Sequence, residues 1–369
     1  MPSPKKTVRL GIVGLGFSVN YADHIRTGKV RRMQVTAVAA RDSAKWARVP
    51  EARGFASAGA LLASGLVDAV LVATPHTSHT AIGIAALRAG RHVLVEKPLA
   101  VHKADAQRLI ATHQDRRLVF AAMFNQRTDP FYQKVRELVR SGALGEIRRV
   151  SWTITDMFRP EAYYRAVAWR ASWAGEGGGL LLNQCPHNLD LLQWMVGMPT
   201  RVRAFCNFGR YHAIEAEDDV TAYLEFPNGA TGVLTTSTGE APGTNRLEIA
   251  AENGRLVYEA DRLTFRRNAV PAAEFSRTAT EPFAKLANTE EVFPVSGHGG
   301  QQVEILQNFA DAILDGAPLI APAAEGLGSL ELANAMLLST WTNSTIKLPL
   351  NGRRYAKALK EKIAATAGQ

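Results

Sequence analysis

The sequence predicts a chain of two parts, an α/β part with a doubly wound parallel sheet and an α+β part with an antiparallel sheet. In the first part, short apolar strands alternate with helical segments, which is typical of a parallel sheet covered on both faces. In the second part, strands of alternating polarity are joined at Asn228-Gly229 and Asn253-Gly254, a hairpin signal. The 369 residues fit two domains at about 100–200 residues each, and we expect them at residues 1–124 and 125–369.

Composition and charge exclude several classes of protein. Hydrophobic residues make up 46% and charged residues 21% of the chain, as in ordinary globular proteins. The formal charge is +9, but the arginines are scattered, so we expect no nucleic-acid partner. Residues 1–6 contain no apolar signal core, and no run approaches the roughly 18 apolar residues of a membrane span. We expect a cytoplasmic protein with no membrane partner.

The chain has two cysteines, Cys185 and Cys206, and no Cys-x-x-Cys pair. This count argues against a zinc site or a disulfide framework and fits a reducing compartment. We therefore expect no metal and two small buried side chains, although the sequence leaves a close approach of the two thiols open.

A glycine turn follows the first predicted strand, residues 8–13. Gly14-x-Gly16 leads into a helix predicted at about residues 21–27, and this succession is the context of a dinucleotide-binding fingerprint. Such glycines let the backbone approach a pyrophosphate at the helix N-terminus. The third position of the fingerprint is Val19 rather than glycine, so the motif is partial.

The end of the second predicted strand, residues 35–40, bears on the choice of cofactor. An NAD site usually has an acidic residue there for the ribose 2′-hydroxyl, whereas this chain has Ala40 followed by Arg41. A guanidinium without that carboxylate favours the 2′-phosphate of NADP. Asp42 would serve NAD if the register differs by a residue or two, and Arg41 would then be a solvated surface charge.

Polar residues follow three more strands of the first part. The strands are predicted at 67–73, 92–95 and 118–124, and they are followed by the polar loop 74–79, by Glu96-Lys97-Pro98 and by Asn125. In an open parallel sheet, ligands bind outside the carboxyl ends of the strands. Pro98 restricts Lys97 to an extended conformation, and we expect Lys97 at the mouth of the cofactor cleft.

Three glycines at residues 177–179 precede an apolar helical pattern. Asn183 and His187 are four residues apart, so on one helix they share a face. An imidazole titrates near neutral pH, which suits acid–base chemistry. The residues alone leave two interpretations open, a catalytic pair beside a glycine-lined hollow or a core helix with a hydrogen-bonded histidine.

The remainder of the second part is predicted to form strands and loops. Residues 147–155 form a strand pattern, and the loop at 157–174 is rich in aromatic side chains, including Tyr163. Aromatic rings beside polar groups line sugar sites and also fill cores. The polar loop at 294–302 opens a later helix, and its His298 either faces the substrate or hydrogen-bonds the start of that helix.

Together, these motifs resemble the glucose–fructose oxidoreductase / inositol dehydrogenase family, Gfo/Idh/MocA. They follow the family's order from residue 8 to about residue 350: Gly11-x-x-Gly14-x-Gly16; Ala73-Thr74-Pro75 with His79; Ala89-Gly90-x-His92-Val93-x-x-Glu96-Lys97-Pro98; Asn125-x-Arg127; Gly142-x-x-Gly145-Glu146-Ile147; and Trp169-Arg170 before the three glycines, His187 and Asp190. The Glu-Lys-Pro turn combined with the later glycine run and histidine is the most specific part.

The resemblance implies a Rossmann domain, a second domain with a large open antiparallel sheet, a nicotinamide cofactor (NADP or NAD) and a sugar or polyol substrate. The catalytic residues it implies are Lys97, His187 and Asn183. The cofactor-binding residues are Gly14, Gly16, Phe17, Ser18, Arg41, Thr74, Pro75, His79, Glu96, Lys97, Asn125 and Arg170. The substrate-binding residues are Lys97, Arg127, Tyr163, Asn183, His187 and His298. Many members have Asp where this chain has Asn183, and an amide orients a hydroxyl without taking up its proton.

The resemblance therefore implies hydride transfer between nicotinamide and a secondary hydroxyl carbon of a sugar, sugar derivative or polyol. Two other functions stay open from the sequence: an NAD-dependent glycosidase that oxidises its sugar transiently, and a non-catalytic dinucleotide sensor. Because family members commonly cover the open sheet with another subunit, we expect a homodimer or homotetramer.

Overall fold

The computed structural model describes residues 7–16 and 18–366, which form two compact units. The first unit contains the described residues up to Thr128, with Gly175–Gly177 and Gly299–Leu330. The second contains Asp129–Ala174, Gly178–His298 and the described residues from Glu331 onward. This division is more interwoven than a single boundary after residue 124, because the chain returns to the first unit and Pro322 bridges to Ala121.

A parallel sheet forms the centre of the first unit. Its described strands are β1 (Val8–Val13), β2 (Met33–Ala39), β3 (Arg53–Phe55), β4 (Ala69–Val72), β5 (His92–Val95) and β6 (Phe120–Ala122). They lie in the order β3-β2-β1-β4-β5-β6, and every pair is parallel. This doubly wound order reverses direction between β1 and β4, which is where such folds bind ligands.

Helices connect these strands, so the predicted α/β class is confirmed. They are α1 (Val19–Arg26), α2 (Ala58–Ala63), α3 (His79–Arg88) and α4 (Lys103–Thr112), with short 3₁₀ helices at Ser43–Arg48, His76–Ser78 and Asn125–Thr128. The sequence did not reveal β3 and α2. Both are short, and a three-residue strand at a sheet edge has too few residues to show a hydrophobic period.

The second unit begins with α5 and contains most of the later strands. The elements in chain order are α5 (Pro130–Arg140), β7 (Ile147–Ile154), α6 (Glu161–Arg165), α7 (Leu180–Asn183), α8 (Pro186–Val196), β8 (Arg201–Phe208), β9 (Glu217–Glu225), β10 (Thr231–Ser237), β11 (Asn245–Ala251), β12 (Gly254–Glu259), β13 (Arg262–Asn268), α9 (Ala272–Thr278) and β14 (Asn288–Val292). Asp129 caps α5 by accepting a hydrogen bond from the Phe131 N–H at 2.9 Å, and Pro130 occupies the first turn.

The rest of the chain is mainly helical. It forms α10 (Gln301–Asp315), a 3₁₀ turn at Ala323–Glu325, α11 (Gly326–Trp341), β15 (Ile346–Lys347) and α12 (Gly352–Thr366). Gly316 ends α10 in the left-handed conformation with φ of 71°. Tyr355 and Leu359 of α12 are buried, so one face of this last helix packs against the rest of the chain.

The second unit contains a large sheet in the order β14-β13-β12-β11-β7-β10-β9-β8-β15, within the described residues. Both predicted hairpins are present, β9–β10 and β11–β12. The sheet is mixed rather than wholly antiparallel because β7 pairs with β10 in parallel. Along β12 and β13, buried residues alternate with more exposed ones, so one face of the sheet packs into the core and the other is accessible.

Candidate active site

The glycine turn after β1 lies at the switch point of the first sheet. Gly14 has φ of +99°, and a Cβ there would lie 2.5 Å from the Ala73 carbonyl oxygen after β4. A Cβ on Gly16 would meet no described atom within 4 Å. The Ser18 hydroxyl donates to the Gly14 carbonyl and, in the described structure, does not cap α1. A turn without side chains at a helix N-terminus fits a pyrophosphate; Phe17, also predicted to bind the cofactor, lies outside the described residues.

The chain after β2 presents one basic and one acidic side chain. Arg41 and Asp42 are both exposed. Asp42 accepts a hydrogen bond from the Ala44 N–H at 3.0 Å and thereby caps the 3₁₀ helix Ser43–Arg48. The Asp42 carboxylate thus has a structural role, whereas the Arg41 guanidinium is accessible to a ligand.

His79 connects two of the loops that were predicted to bind the cofactor. Its Nε2 lies 2.7 Å from the Thr74 carbonyl oxygen and its Nδ1 lies 2.9 Å from the Pro98 carbonyl oxygen. The Ser78 hydroxyl donates to Thr74 Oγ1 at 2.7 Å in the same loop, next to Pro75. Burial lowers the pKa of His79. The ring therefore joins the loop after β4 to the turn after β5.

The Glu96-Lys97-Pro98 turn directly follows β5, and its Lys97–Pro98 peptide is cis. Glu96 Oε2 accepts the Lys97 backbone N–H at 3.1 Å, and its other carboxylate oxygen accepts the Tyr21 hydroxyl from α1. Burial raises the pKa of Glu96. Contacts through Glu96 and His79 thus hold the backbone on both sides of Lys97.

His76 and Glu176 form a buried acid–base pair in the first unit. His76 Nδ1 is 3.9 Å from Glu176 Oε1, and the His76 and His79 rings meet edge to face with centroids 5.7 Å apart. Burial, reinforced by the charges of His79 and Lys97, lowers the pKa of His76 well below its usual range. His76 is therefore uncharged at neutral pH.

Asn125 and Arg127 follow β6, and both are buried. The Asn125 amide donates to Gln301 Oε1 at 2.6 Å. Arg127 donates to the Ile320 carbonyl at 3.2 Å and forms an ion pair with Glu325. These contacts lie within the first unit, so Arg127 has a packing role there and its predicted contact with substrate stays a prediction.

The end of the glycine run is held by a buried carboxylate in the second unit. Glu217 accepts the Gly179 N–H through both oxygens, each at 3.0 Å, and the Leu181 N–H at 2.9 Å. A Cβ on Gly179 would lie 2.3 Å from the Glu217 carbonyl oxygen, so a side chain there would collide with β9. Glu217 therefore satisfies N–H groups that the start of α7 leaves unpaired.

The helical pattern after the glycines is divided into two helices. α7 ends at Asn183 and α8 begins at Pro186. The sequence treated Asn183 and His187 as neighbours on one helix, whereas they belong to consecutive helices. The physical reason is Pro186, whose ring lacks an N–H and favours the first turn of a new helix.

Tyr163 contacts several predicted site residues of the second unit. Its hydroxyl donates to Asn183 Oδ1 at 3.3 Å and accepts from the Gln184 amide at 3.2 Å. The Arg170 guanidinium lies 3.8 Å from the centroid of the Tyr163 ring and donates to the Tyr163 carbonyl. Arg170 and Tyr163 thereby orient Asn183.

Within the second unit, His298 contacts a different set of residues from Tyr163, Asn183 and Arg170. Its Nδ1 is 3.0 Å from Asp129 Oδ2, and its Nε2 is 3.8 Å from Asp261 Oδ2. The hydrogen bond to Asp129 raises the pKa of His298. His298 thus holds the carboxylate that caps α5; its predicted contact with substrate stays a prediction.

Four residues that shape these sites were not predicted from the sequence: Tyr21, His76, Glu176 and Glu217. Tyr21 fits the apolar face of α1, and Glu217 begins an acidic run that resembles a solvated surface. Their partners are far away in sequence, and a single sequence contains no signal for such pairs.

Two family models match this chain. Residues 8–124 match the model described as the oxidoreductase family with an NAD-binding Rossmann fold, and residues 132–257 match the GFO/IDH/MocA C-terminal domain. The chain belongs to the Gfo/Idh/MocA family. It is accordingly an oxidoreductase, and its NAD-binding Rossmann fold supports a nicotinamide cofactor.

Proteins similar to this chain include dehydrogenases. A levoglucosan dehydrogenase of Pseudarthrobacter phenanthrenivorans is 24% identical in an alignment that covers 77% of this Gfo/Idh/MocA chain and 80% of that protein. A myo-inositol 2-dehydrogenase of Thermotoga maritima is 24% identical over 76% of this chain and 80% of its own length. The solved WlbA dehydrogenase of Bordetella pertussis, in complex with NADH and UDP-GlcNAcA, has a TM-score of 0.78 and 26% identity, over 94% of this chain and all of that one.

Some features are absent from the described part of this family member. No described helix has the length and apolar character to cross a membrane. Among the described residues, no group of three or more His, Cys, Asp or Glu is arranged to hold a metal ion. Cys185 and Cys206 are buried and free, and burial raises the pKa of the Cys185 thiol to about 12.

Proposed function

We propose that this chain is an NAD(P)-dependent dehydrogenase or reductase that acts on a secondary hydroxyl of a sugar, sugar derivative or polyol. The observation that carries the proposal is the held position of Lys97 at the carboxyl end of β5, with Glu96 and His79 bound to the backbone on either side. The names of the relatives, which include levoglucosan and inositol dehydrogenases, support the substrate class.

In the proposed reaction, His187 and Lys97 both act on the substrate hydroxyl group. His187 accepts the hydroxyl proton as general base. Lys97 donates a hydrogen bond to the same oxygen and stabilises its developing negative charge. Asn183, oriented by Tyr163 and Arg170, binds a neighbouring hydroxyl. The bound nicotinamide supplies the hydride acceptor or donor.

The cofactor is held, on this proposal, by the backbone and side chains at the ends of the first strands. Gly14, Gly16 and Ser18 hold the pyrophosphate, and Thr74, Pro75 and Asn125 lie on the nicotinamide side. The contacts of His79 and Glu96 give them a positioning role, because their polar atoms bind the backbone near Lys97. The predicted roles of Arg127 and His298 toward substrate and of Arg170 toward cofactor stay part of the proposal.

We further propose that NADP is preferred to NAD. Ala40 lacks a carboxylate for the ribose, Arg41 is exposed beside it, and Asp42 is engaged as a helix cap. A guanidinium binds a phosphate strongly through paired hydrogen bonds.

A substrate panel tests the proposed function. Purified protein is incubated with sugars, sugar acids and polyols, with NAD and NADP separately, and nicotinamide reduction is followed by absorbance. We expect reduction with at least one compound that has a secondary hydroxyl group. Binding of cofactor without turnover of any compound would contradict the proposal, and release of free sugar from a glycoside without net reduction would indicate a glycosidase instead.

We also propose that the accessible face of the second sheet mediates a homodimer or homotetramer. The exposed faces of β8, β9 and β10 carry Phe205, Tyr223 and Val233, which are 58%, 42% and 41% exposed. Burying such side chains against a second copy is favourable. A cytoplasmic location remains our proposal and rests on the two free cysteines.

A further inference from the structure

The arginine at the end of the 3₁₀ helix after β2 reaches back to the glycine turn. Arg48 Nη1 donates to the Leu15 carbonyl oxygen at 3.3 Å, and Leu15 stands between the two glycines of that turn. This hydrogen bond uses one of the five N–H groups of a guanidinium. Because Arg48 is exposed, its other N–H groups are open to a ligand at the glycine turn.

The short helix that carries Arg48 is held in place at several points. The Asp42 carboxylate caps its start, and Trp46 Nε1 donates to the Ala40 carbonyl oxygen at 3.3 Å. The Trp46 ring also packs on Gly54 of β3, where a Cβ would lie 2.3 Å from the ring. The backbone of Arg48 is therefore fixed relative to the end of β2, and only its side chain has to adjust to a ligand.

The glycine turn and the end of β2 are direct neighbours. The Gly14 N–H donates to the Ala39 carbonyl oxygen at 2.9 Å, and Arg41 follows two residues after Ala39. In a dinucleotide-binding fold the turn faces the pyrophosphate, and the end of the second strand faces the 2′ position of the adenosine ribose. Arg41 thus approaches that position from the strand end, and Arg48 approaches it from the turn.

The positive charge of this segment is not balanced by carboxylates. Residues 41–48 contain Arg41, Lys45 and Arg48 but only one acidic residue, Asp42, whose carboxylate accepts a backbone N–H. In the part of the chain that the structure describes, neither Arg41 nor Arg48 forms an ion pair with a carboxylate. A phosphate monoester carries about −1.5 to −2 charges at neutral pH, so such a group is favoured here over an uncharged hydroxyl.

We propose that Arg48 is a specificity-determining residue that binds the 2′-phosphate of NADP together with Arg41. Guanidinium groups match the geometry of phosphate oxygens and form paired, charge-assisted hydrogen bonds with them. NAD has only a neutral hydroxyl at this position, so the two arginines strengthen the binding of NADP and add little to that of NAD. The inference rests on the proposed NADP preference and adds a second guanidinium to it.

Calorimetric titration with 2′-phospho-ADP-ribose and with ADP-ribose tests the inference. The two probes differ only by the 2′-phosphate, and neither contains nicotinamide. We expect Arg48→Gln to weaken binding of the phosphorylated probe about tenfold, because a charge-assisted contact is lost, and to leave ADP-ribose within about twofold. The double variant Arg41→Gln/Arg48→Gln should bind both probes equally. The control is Arg88→Gln, an exposed arginine in the last turn of α3, which should bind both probes as the unmodified protein does.

Several outcomes would overturn the inference. Equal weakening of both probes in Arg48→Gln would assign its guanidinium to the pyrophosphate, and unchanged affinities would assign it no contact with the cofactor. Loss of discrimination in Arg41→Gln alone would keep the NADP preference and refute the role of Arg48. If the unmodified protein binds both probes equally, or neither, the NADP preference and the inference fail together. Absence of turnover with every sugar and polyol would count against the dehydrogenase activity only, since the probe affinities need no turnover.

Discussion

Lys97 shows how distant side chains prepare one residue for chemistry. Its N–H is bound by Glu96, Glu96 is bound by Tyr21 of α1, and the next residue's carbonyl contacts His79. These contacts restrict the backbone from which the Lys97 side chain extends. Such restriction lowers the cost of placing an ammonium group against a reacting oxygen.

Removing the polar ends of Lys97 or His187 should therefore impair turnover rather than folding. We expect Lys97→Met and His187→Ala each to lower kcat by about 10²–10⁴-fold, the usual range for a lost acid–base or electrostatic contact. Cofactor affinity, measured by fluorescence titration, should remain within a few fold. Lys29→Met, at an exposed position of the first unit, is the control. Near-normal turnover in both variants would refute their assignment.

Arg41 provides a test of cofactor choice. Arg41→Ala should weaken NADP binding by about tenfold or more, because a charge-assisted contact with the 2′-phosphate is lost, and should leave NAD binding nearly unchanged. Dissociation constants for both cofactors decide the question, with Arg26→Ala as the control for an exposed arginine. An equal change in the dissociation constants of NADP and NAD would show that Arg41 does not bind the 2′-phosphate.

At the scale of elements, the sequence predicted strands and helices well but missed what connects them. The β1 and β5 strands and the two hairpins follow from hydrophobic period and turn residues. The break between α7 and α8 was missed although Pro186 signals it, because the apolar period continues across it. Glu217 could not be predicted as the anchor of α7, since it lies 38 residues after Gly179 and only the folded chain brings them together.

The start of α7 should depend strongly on Glu217. Glu217→Gln removes the charge that accepts two backbone N–H groups, and we expect a loss of about 2–3 kcal/mol in the free energy of unfolding. Urea denaturation measures it. Glu225→Gln on the same strand, a half-buried residue with a 3.7 Å ion pair to Arg201, should change stability by less than about 0.5 kcal/mol. Similar losses in the free energy of unfolding for both variants would show that the buried hydrogen bonds of Glu217 stabilise the fold no more than the ion pair of Glu225 does.

The ion pair between His298 and Asp129 should depend on pH. Asp129 raises the pKa of His298 above its ordinary value of 6.5, so the stabilisation is complete below that value and is lost as the pH rises through the raised pKa. NMR titration should give a lower midpoint for the His298 ring in Asp129→Asn, in which the amide still caps α5. Asp261→Asn, which alters the longer 3.8 Å contact, should shift the midpoint less. The same midpoint in all three proteins would exclude the ion pair.

At the scale of the whole molecule, the exposed apolar side chains on the accessible face of the second sheet predict self-association. Phe205→Glu should shift the protein to smaller species in sedimentation velocity, because a charge placed in an apolar interface is costly to desolvate. Phe283→Glu introduces the same change at a side chain that is 93% exposed elsewhere in the second unit, and it should not alter the species. Identical sedimentation of Phe205→Glu and the unmodified protein would show that this face is not the interface.

The mixed sheet also sets the order in which the chain can be completed. β7 lies between β10 and β11, with Arg149 opposite Thr231 and Ile154 opposite Asn245. During synthesis, β7 leaves the ribosome well before either partner exists, and both of its hydrogen-bonding edges stay open until then. β7 therefore stays unpaired on both edges until β10 and β11 have been made, and an unfinished chain exposes a strand that can pair with a neighbouring chain.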